Sequence, residues 1–353
     1  MESMLAMIDC SLSKVPTWLT TVRRPEPPYG RYRYYASSPK DWCVYASLEG
    51  IAVENLLGLA AFWTEAQRRE ALSGLSDAQC PDGHYRCPCC AADDGDPRQR
   101  CAESNADGIT FKVAVTLYGF GLTPRHPLPT GTEMGKGEIR PDDVAKWLAA
   151  TFENNNPYSA GSMVWKACGM RSLRLLSDGK EPMADPVVAR ILDWLLKNQD
   201  PATGLWFHKG DLLNGVNGLL KMRFGTFDLA GIDIPHPEKI IPVILSIQHE
   251  DGSFGGACCD WNCVGLLAEI GRRAPRYRDD IIAAYRRALP VILGKQTDAG
   301  WFRWTDEPDE EPFLKSTFVN LHGVLSIKRF LLKDDAGIDQ IFGNLKQLRK
   351  QLL

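Results

Sequence analysis

Residues 195–207 (LLKNQDPATGLWF), 244–256 (ILSIQHEDGSFGG) and 292–304 (ILGKQTDAGWFRW) repeat one pattern. Each is the apolar end of a helix, then a glutamine, a short Asp/Gly turn and an aromatic. Gln199, Gln248 and Gln296 lie 49 and 48 residues apart, and a fourth copy at 75–87 (LSDAQCPDGHYRC) gives Gln79 the same place. A fixed period of this length marks a repeat architecture. Glycine after the helix supplies the left-handed backbone that stops it, and the aromatic can fold back onto that helix.

Apolar periodicity between the turns predicts twelve helices in six pairs. The first members run over 42–60, 106–121, 160–177, 211–223, 258–272 and 314–332; the second over 63–75, 141–153, 184–198, 237–249, 277–294 and 336–351. Asp185-Pro186, Arg140-Pro141-Asp142 and His236-Pro237-Glu238 place proline in the first turn of second members. Those members are one-sided: Ile281, Ile282, Tyr285, Leu289 and Ile292 share a face that excludes Arg286 and Arg287. First members such as CVGLLAEIG and FVNLHGVLSIKRFLL are apolar on more than one side. The asymmetry predicts an all-α fold, a six-hairpin α/α toroid with an inner ring of buried helices and an outer amphipathic ring. It spans 41–353 as one domain. Residues 1–40, with RRPEPPYGRYRYY, read as an irregular N-terminal arm, and the long loops 76–105 and 122–140 as lids or site walls.

Length alone, 353 residues at about 150 per domain, implies two domains, and the repeat overrides it. Hydrophobic residues at 44% and charged residues at 24% exclude a disordered chain, a collagen-like repeat and a coiled-coil rod. With 41 basic against 44 acidic residues no global basic field points to nucleic acid. No apolar run reaches the ~18 residues of a membrane span. MESMLAMIDCSLSKVPTW lacks a basic stretch followed by a continuous apolar one, so no signal peptide and a cytoplasmic location are expected. Eleven cysteines then default to reduced thiols, with metal binding as the competing idea.

Gln296-x3-Gly300-Trp301, Gln199-x4-Gly204-x-Trp206 and Gln248-x3-Gly252-x-Phe254 resemble the Gln…Gly…Trp repeats of terpenoid cyclases and protein prenyltransferase β subunits, over roughly residues 75–330. The resemblance implies the toroid. Unsaturated glucuronyl hydrolases, sugar epimerases and lanthionine cyclases share that architecture, so it does not fix a reaction. Class II terpenoid cyclases carry an Asp-x-Asp-Asp acid motif at an inner-helix start. The nearest stretch is Ser104-Asn105-Ala106-Asp107, where Ala106 stands at the proton donor's place and Asp107 survives. Prenyltransferase β subunits carry zinc on Asp, Cys and His. Cys258 matches the Cys, but Gly256 and Ser316 stand at the other two positions. A rearranged zinc site would draw on Cys258, Cys259, Asp260, Cys263 and His322, since thiolate and imidazole suit zinc. In the first long loop Cys80, Cys87, Cys89, Cys90 and Cys101 can close a structural zinc site, pair as disulfides or remain thiols.

In such a ring the inner-helix N-termini meet at one mouth, each with unpaired N–H groups and partial positive charge. The polar residues there are Asp41, Asn105 and Asp107, Ser159 and Ser162, Asp211 and Asn214 with His208, Cys258, Cys259, Asp260 and Asn262, and Thr317, Asn320 and His322. Asp107, Asp260, His322 and Asp211 are the catalytic candidates; the same Asp, Ser and Asn residues equally serve as N-caps. His208, Trp206, Trp261, Trp301, Trp165, Asn262 and Asn320 are the candidate substrate contacts. Their rings would stabilise a carbocation or stack on a sugar, or simply wedge hairpins together. His84, Arg86, His208, Lys209 and Arg303 can hold a phosphate or carboxylate. Three readings follow. The first is a terpenoid-cyclase-like enzyme doing acid/base chemistry on an isoprenoid or other apolar small molecule. The second is a glycan-active hydrolase, lyase or epimerase using Asp211, Asp260 and His208. The third is a non-enzymatic binding scaffold.

Overall fold

The computed structural model describes residues 1–38, 42–87, 106–129, 139–206, 209–307, 309–333 and 345–353. Among them the fold is all-helical with no named strand. The helices are α1 (Glu2–Val22), α2 (Val44–Leu56), α3 (Glu65–Ser76), α4 (Ala106–Gly119), α5 (Val144–Asn154), α6 (Pro157–Ser177) and α7 (Pro186–Lys197). They continue as α8 (Leu212–Gly225), α9 (Phe227–Ala230), α10 (Pro237–Ser246), α11 (Ala257–Ile270), α12 (Arg278–Gly294), α13 (Leu314–Leu332) and α14 (Leu345–Leu352). No helix among the described residues is long and apolar enough to cross a membrane.

Local chemistry sets the boundaries. Thr64 and Gln67 form a capping box on α3. Asn156 and Asp185 cap α6 and α7, each followed by proline at the first helical position. In α7, Val187, Val188, Ile191, Leu192 and Leu195 form one buried stripe, whereas α4 is buried continuously from Asp107 to Tyr118. That difference separates one-sided from wholly buried helices. Each buried Leu, Val or Ile contributes about 1.5–3 kcal/mol.

The more deeply buried helices pack in a fixed order: α2 on α4, α4 on α6, α6 on α8, α8 on α11, α11 on α13, and α13 in turn on α2. Glycine brings α6 and α8 into backbone contact. A Cβ on Gly161 would lie 2.2 Å from the Gly218 carbonyl, and one on Gly225 would lie 2.2 Å from that of Trp165. The one-sided helices lie against these: α3 on α2 and α4, α5 and α7 on α6, α10 on α8 and α11, and α12 on α11 and α13.

Two sequence expectations are corrected. Residues 2–22 are helical, not an irregular arm: Met4, Ile8, Ser11, Val15, Trp18, Leu19 and Val22 form a buried stripe, and α1 packs on α12 and α13. The last segment does not fill that place. Only Leu345–Leu352 of the expected 336–351 helix is described, and α14 packs on α4, α6 and α9. The N-terminal helix therefore takes the position beside α13 that the sequence pattern assigns to the C-terminal one.

The Gln…Gly turns explain the period. Gln79, Gln199, Gln248 and Gln296 each donate from Nε2 to the carbonyl of their own turn glycine, at 2.9–3.0 Å. The same Nε2 also donates to a carbonyl of the next element: His126, Pro235, Ala284 and Ser11. The glycines have φ of +86°, +72°, +94° and +100°. Cβ atoms on Gly83, Gly252 and Gly300 would lie 2.1–2.3 Å from the carbonyls of Pro127, Arg287 and Lys14. Glycine is thus required both by its conformation and by close backbone approach. The final turn grips α1 in the way the Gln248 turn grips α12.

Candidate functional site

The aromatic two residues after each turn glycine is deeply buried: Tyr85, Trp206, Phe254 and Phe302. Three of them bind the next buried helix through the backbone. The N–H of Tyr85 donates to Thr110 Oγ1 at 2.8 Å, that of Phe254 to Asp260 Oδ1 at 2.6 Å, and that of Phe302 to Thr317 Oγ1 at 3.1 Å. Asp260 therefore does the same job as two threonines. Its other oxygen takes a bond from Lys295 Nζ at 3.0 Å, with both side chains nearly inaccessible. A buried, doubly bonded carboxylate of this kind holds the turn to α11 and has no oxygen left over for a substrate.

The other candidates separate by their partners. Asp211 is an exposed N-cap of α8, accepting from Asn214 N at 3.0 Å and Asn214 Nδ2 at 2.6 Å. Trp206 donates Nε1 to the Leu195 carbonyl at 2.8 Å, folding back on α7 as the sequence predicts. Trp301 is buried, but Phe302 takes the repeat's aromatic position. Asn320 donates to the carbonyls of Arg303 and Ser316. Asn262 donates to Asn217 Oδ1 at 2.7 Å, and Asn217 Nδ2 donates to Cys259 Sγ at 3.5 Å, tying α11 to α8. His208 lies outside the described residues, as do Asp41, Asn105, Cys89, Cys90 and Cys101.

His322 and Trp261 form a unit between α13 and α11. Trp261 Nε1 donates to His322 Nδ1 at 2.7 Å. An indole N–H can only donate, so the neutral imidazole carries its proton on Nε2. Zinc fits poorly here. Asp260 is bonded to Lys295, His322 Nδ1 is taken by Trp261, and burial raises the Cys263 thiol well above its ordinary range. No three His, Cys, Asp or Glu side chains among the described residues come together as a metal site.

Asp107 differs. It opens α4, and its Oδ1 lies 3.1 Å from His84 Nε2. His84 Nδ1 lies 3.4 Å from Asp82 Oδ2, so carboxylates flank both ring nitrogens. Side-chain exposure falls from 51% at Asp82 to 20% at His84 and 11% at Asp107. Three proton-accepting groups thus lead from solvent to the start of a buried helix. His84 sits one residue after the turn glycine Gly83, so the lock that builds the fold also aims the imidazole.

One face of α6 is half-exposed. Tyr158, Ser162 and Lys166 recur every fourth residue on α6, with Ser159 and Met163 next to them, all partly accessible. The other sides of α6 are covered by α4, α8, α5 and α7. Cys258 and Cys259 at the start of α11 are also half-buried, and burial raises both thiols. Trp165 is buried, and its ring meets Phe111 edge-on at 5.2 Å. Sequence reasoning named Trp165 and Cys258 but missed Lys112, Lys221 and Lys315. Lys112 donates to Tyr45 Oη at 3.3 Å and lies over that ring at 4.9 Å. Lys221 lies over Tyr158 at 5.4 Å and Trp165 at 5.8 Å, and Lys315 over Trp304 at 5.6 Å. The available signal was a single lysine inside an apolar helix, as in GITFKVAVTLYG. No family model matches this sequence, and no curated protein matches it.

Proposed function

We propose that these six more deeply buried helices form the inner ring of an α/α toroid and that the protein is a cyclase- or isomerase-like enzyme acting in the hollow of that ring. The order of packing, with α13 returning to α2, supports the ring. The contact between His84 and Asp107 at 3.1 Å carries the enzymatic reading. Asp107 is the acid that protonates an unsaturated, apolar, isoprenoid-like substrate. His84 returns the proton to it from solvent by way of Asp82. The partly buried position of Asp107 keeps competing water low.

The glycan-active reading draws on Asp211, Asp260 and His208, of which His208 lies outside the described residues. Asp260 is bonded to Lys295 and Asp211 caps a helix at the surface, so neither of its proposed carboxylates supports it.

The test is proton transfer itself. Purified protein is incubated in D2O with linear isoprenoid hydrocarbons and alcohols, and deuterium uptake into product is read by mass spectrometry. Uptake should occur, and Asp107→Asn or His84→Gln should slow it by about 10²–10⁴-fold. Uptake that both variants leave unchanged would refute the assignment.

A further inference from the structure

After α1 the chain turns back on itself and lies against α3. Arg24 N donates to the Arg31 carbonyl at 2.8 Å and Arg33 N to that of Val22 at 2.9 Å, which closes the loop at its base. Tyr29 N donates to Glu70 Oε2 at 2.7 Å, fastening the loop to α3. Gly30, at φ +76°, allows the close approach: a Cβ there would lie 2.4 Å from that of Ala71. Between the end of α1, this loop and α3 lies a cleft of about 490 Å³. Small-molecule sites span roughly 300–1,000 Å³. The floor of the cleft is held from α2. Buried Glu54 accepts from Arg23 Nη1 at 3.1 Å, Tyr29 Oη at 3.0 Å and Trp63 Nε1 at 2.5 Å, so the charge of Arg23 is offset. Arg24 and Glu26 also line the cleft, and neither side chain has a hydrogen bond or ion pair among the described residues. Glu70 keeps its Oε1 unbonded among them. The cleft thus offers a guanidinium from the loop, a carboxylate from α3 and apolar surface from Pro25, Pro27 and Tyr29. A ligand of a single charge would meet a like charge on one of these walls, whereas a dipolar one matches both.

We propose that this cleft binds a small zwitterion with an apolar side chain, an α-amino acid or short peptide, its carboxylate on Arg24 and its ammonium on Glu70. The planar fork of arginine matches a carboxylate through two parallel bonds. Glu70 receives the ammonium on Oε1 while Oε2 stays on the Tyr29 N–H. Gln67, beside Glu70 in the cleft, has its Oε1 taken by Thr64 N at 2.9 Å, which leaves Nε2 as the donor for a peptide carbonyl. The site shares no residue with Asp82, His84 and Asp107, and it stands whether or not they move a proton.

Isothermal titration calorimetry of the full chain tests the charge pattern. The probes are leucine, leucyl-leucine, N-acetyl-leucyl-leucine, which lacks the ammonium, and leucyl-leucine amide, which lacks the carboxylate. A zwitterionic probe should bind with one-to-one stoichiometry, and each blocked form should bind at least about tenfold more weakly. The tighter of leucine and leucyl-leucine identifies the source. Arg24→Gln should weaken the zwitterion about tenfold and leave the amide unchanged. Glu70→Gln, which keeps an acceptor for the Tyr29 N–H, should weaken the zwitterion similarly and leave the acetylated form unchanged. Melting temperature checks that both variants fold; if either does not, the blocked probes on the wild type decide alone. No saturable heat from either zwitterion at millimolar concentration, a blocked form that binds as tightly, or full affinity in either folded variant overturns the site.

Discussion

Asp107 and Asp260 occupy the first turns of two buried helices, α4 and α11, and each helix is bonded to a Gln…Gly turn. Their surroundings differ in one residue class. Asp260 faces the N–H of Phe254 and the buried ammonium of Lys295; Asp107 faces an imidazole. In the α4 repeat the lock to the turn is made by Thr110, three residues further on, which accepts from Tyr85 N. A hydroxyl there relieves Asp107 of the structural job that Asp260 performs. Aspartates in the first turns of two repeats therefore carry different roles: Asp260 stands at the fastening position that Thr110 holds in the α4 repeat, and Asp107 lies three residues before it.

That comparison breaks most sharply at Asp260. Asp260→Ala leaves Lys295 buried and unpaired, and should lower unfolding free energy by about 3–5 kcal/mol in urea titrations. Replacing both partners, as Asp260→Leu with Lys295→Met, should recover most of that loss. Gly300→Ala tests the turn fastening itself. A left-handed alanine pressed against the Lys14 carbonyl should destabilise by roughly 2–4 kcal/mol. Gln296→Ala removes the bonds to Gly300 and Ser11 and should cost about 1–3 kcal/mol by the same titration. Asp107→Asn should change stability by only ~1 kcal/mol while abolishing most deuterium uptake. A large destabilisation there would place Asp107 with Asp260.

The smallest effect concerns pH. Burial raises the thiols of Cys258, Cys259 and Cys263, pushes Cys168 up to about 12, and holds Tyr32 and Tyr285 well above the usual phenol range. The folded state keeps these protons where the unfolded chain has lost them. Stability from these groups is therefore complete below the ordinary thiol range and declines as pH rises through it and then through the tyrosine range. Melting temperature measured from neutral to strongly alkaline pH should fall progressively. Alkylation of Cys258 should stay slow until pH passes the ordinary thiol value.

The helical framework was legible because period and punctuation agree: apolar spacing, N-terminal prolines and turn glycines all mark the same boundaries. α1 was not, although its buried residues recur at helical spacing. The following RRPEPPYGRYRYY coloured the whole segment as irregular, and no local signal says which distant helix a stripe will cover. The site was half legible. An aspartate at a helix start reads as a cap, a lock or an acid with equal ease, and only the partner decides. Lys295, adjacent to Gln296, and His84, adjacent to Gly83, are those partners, and neither pairing follows from sequence distance. The lysines escaped notice because a charge within an apolar run gains a role only from the ring that a neighbouring element lays against it.

The grip of Gln296 on the Ser11 carbonyl spans 285 residues of chain. At roughly 5–20 residues per second of synthesis, α1 leaves the ribosome about 15–60 s before the turn that fastens it exists. For that interval its stripe of Ile8, Val15, Trp18 and Leu19 has no α12 or α13 to cover it. A helix made early thus finds its place late. Synthesis of the Gln296 turn, not the appearance of α1, sets the moment at which this contact can close.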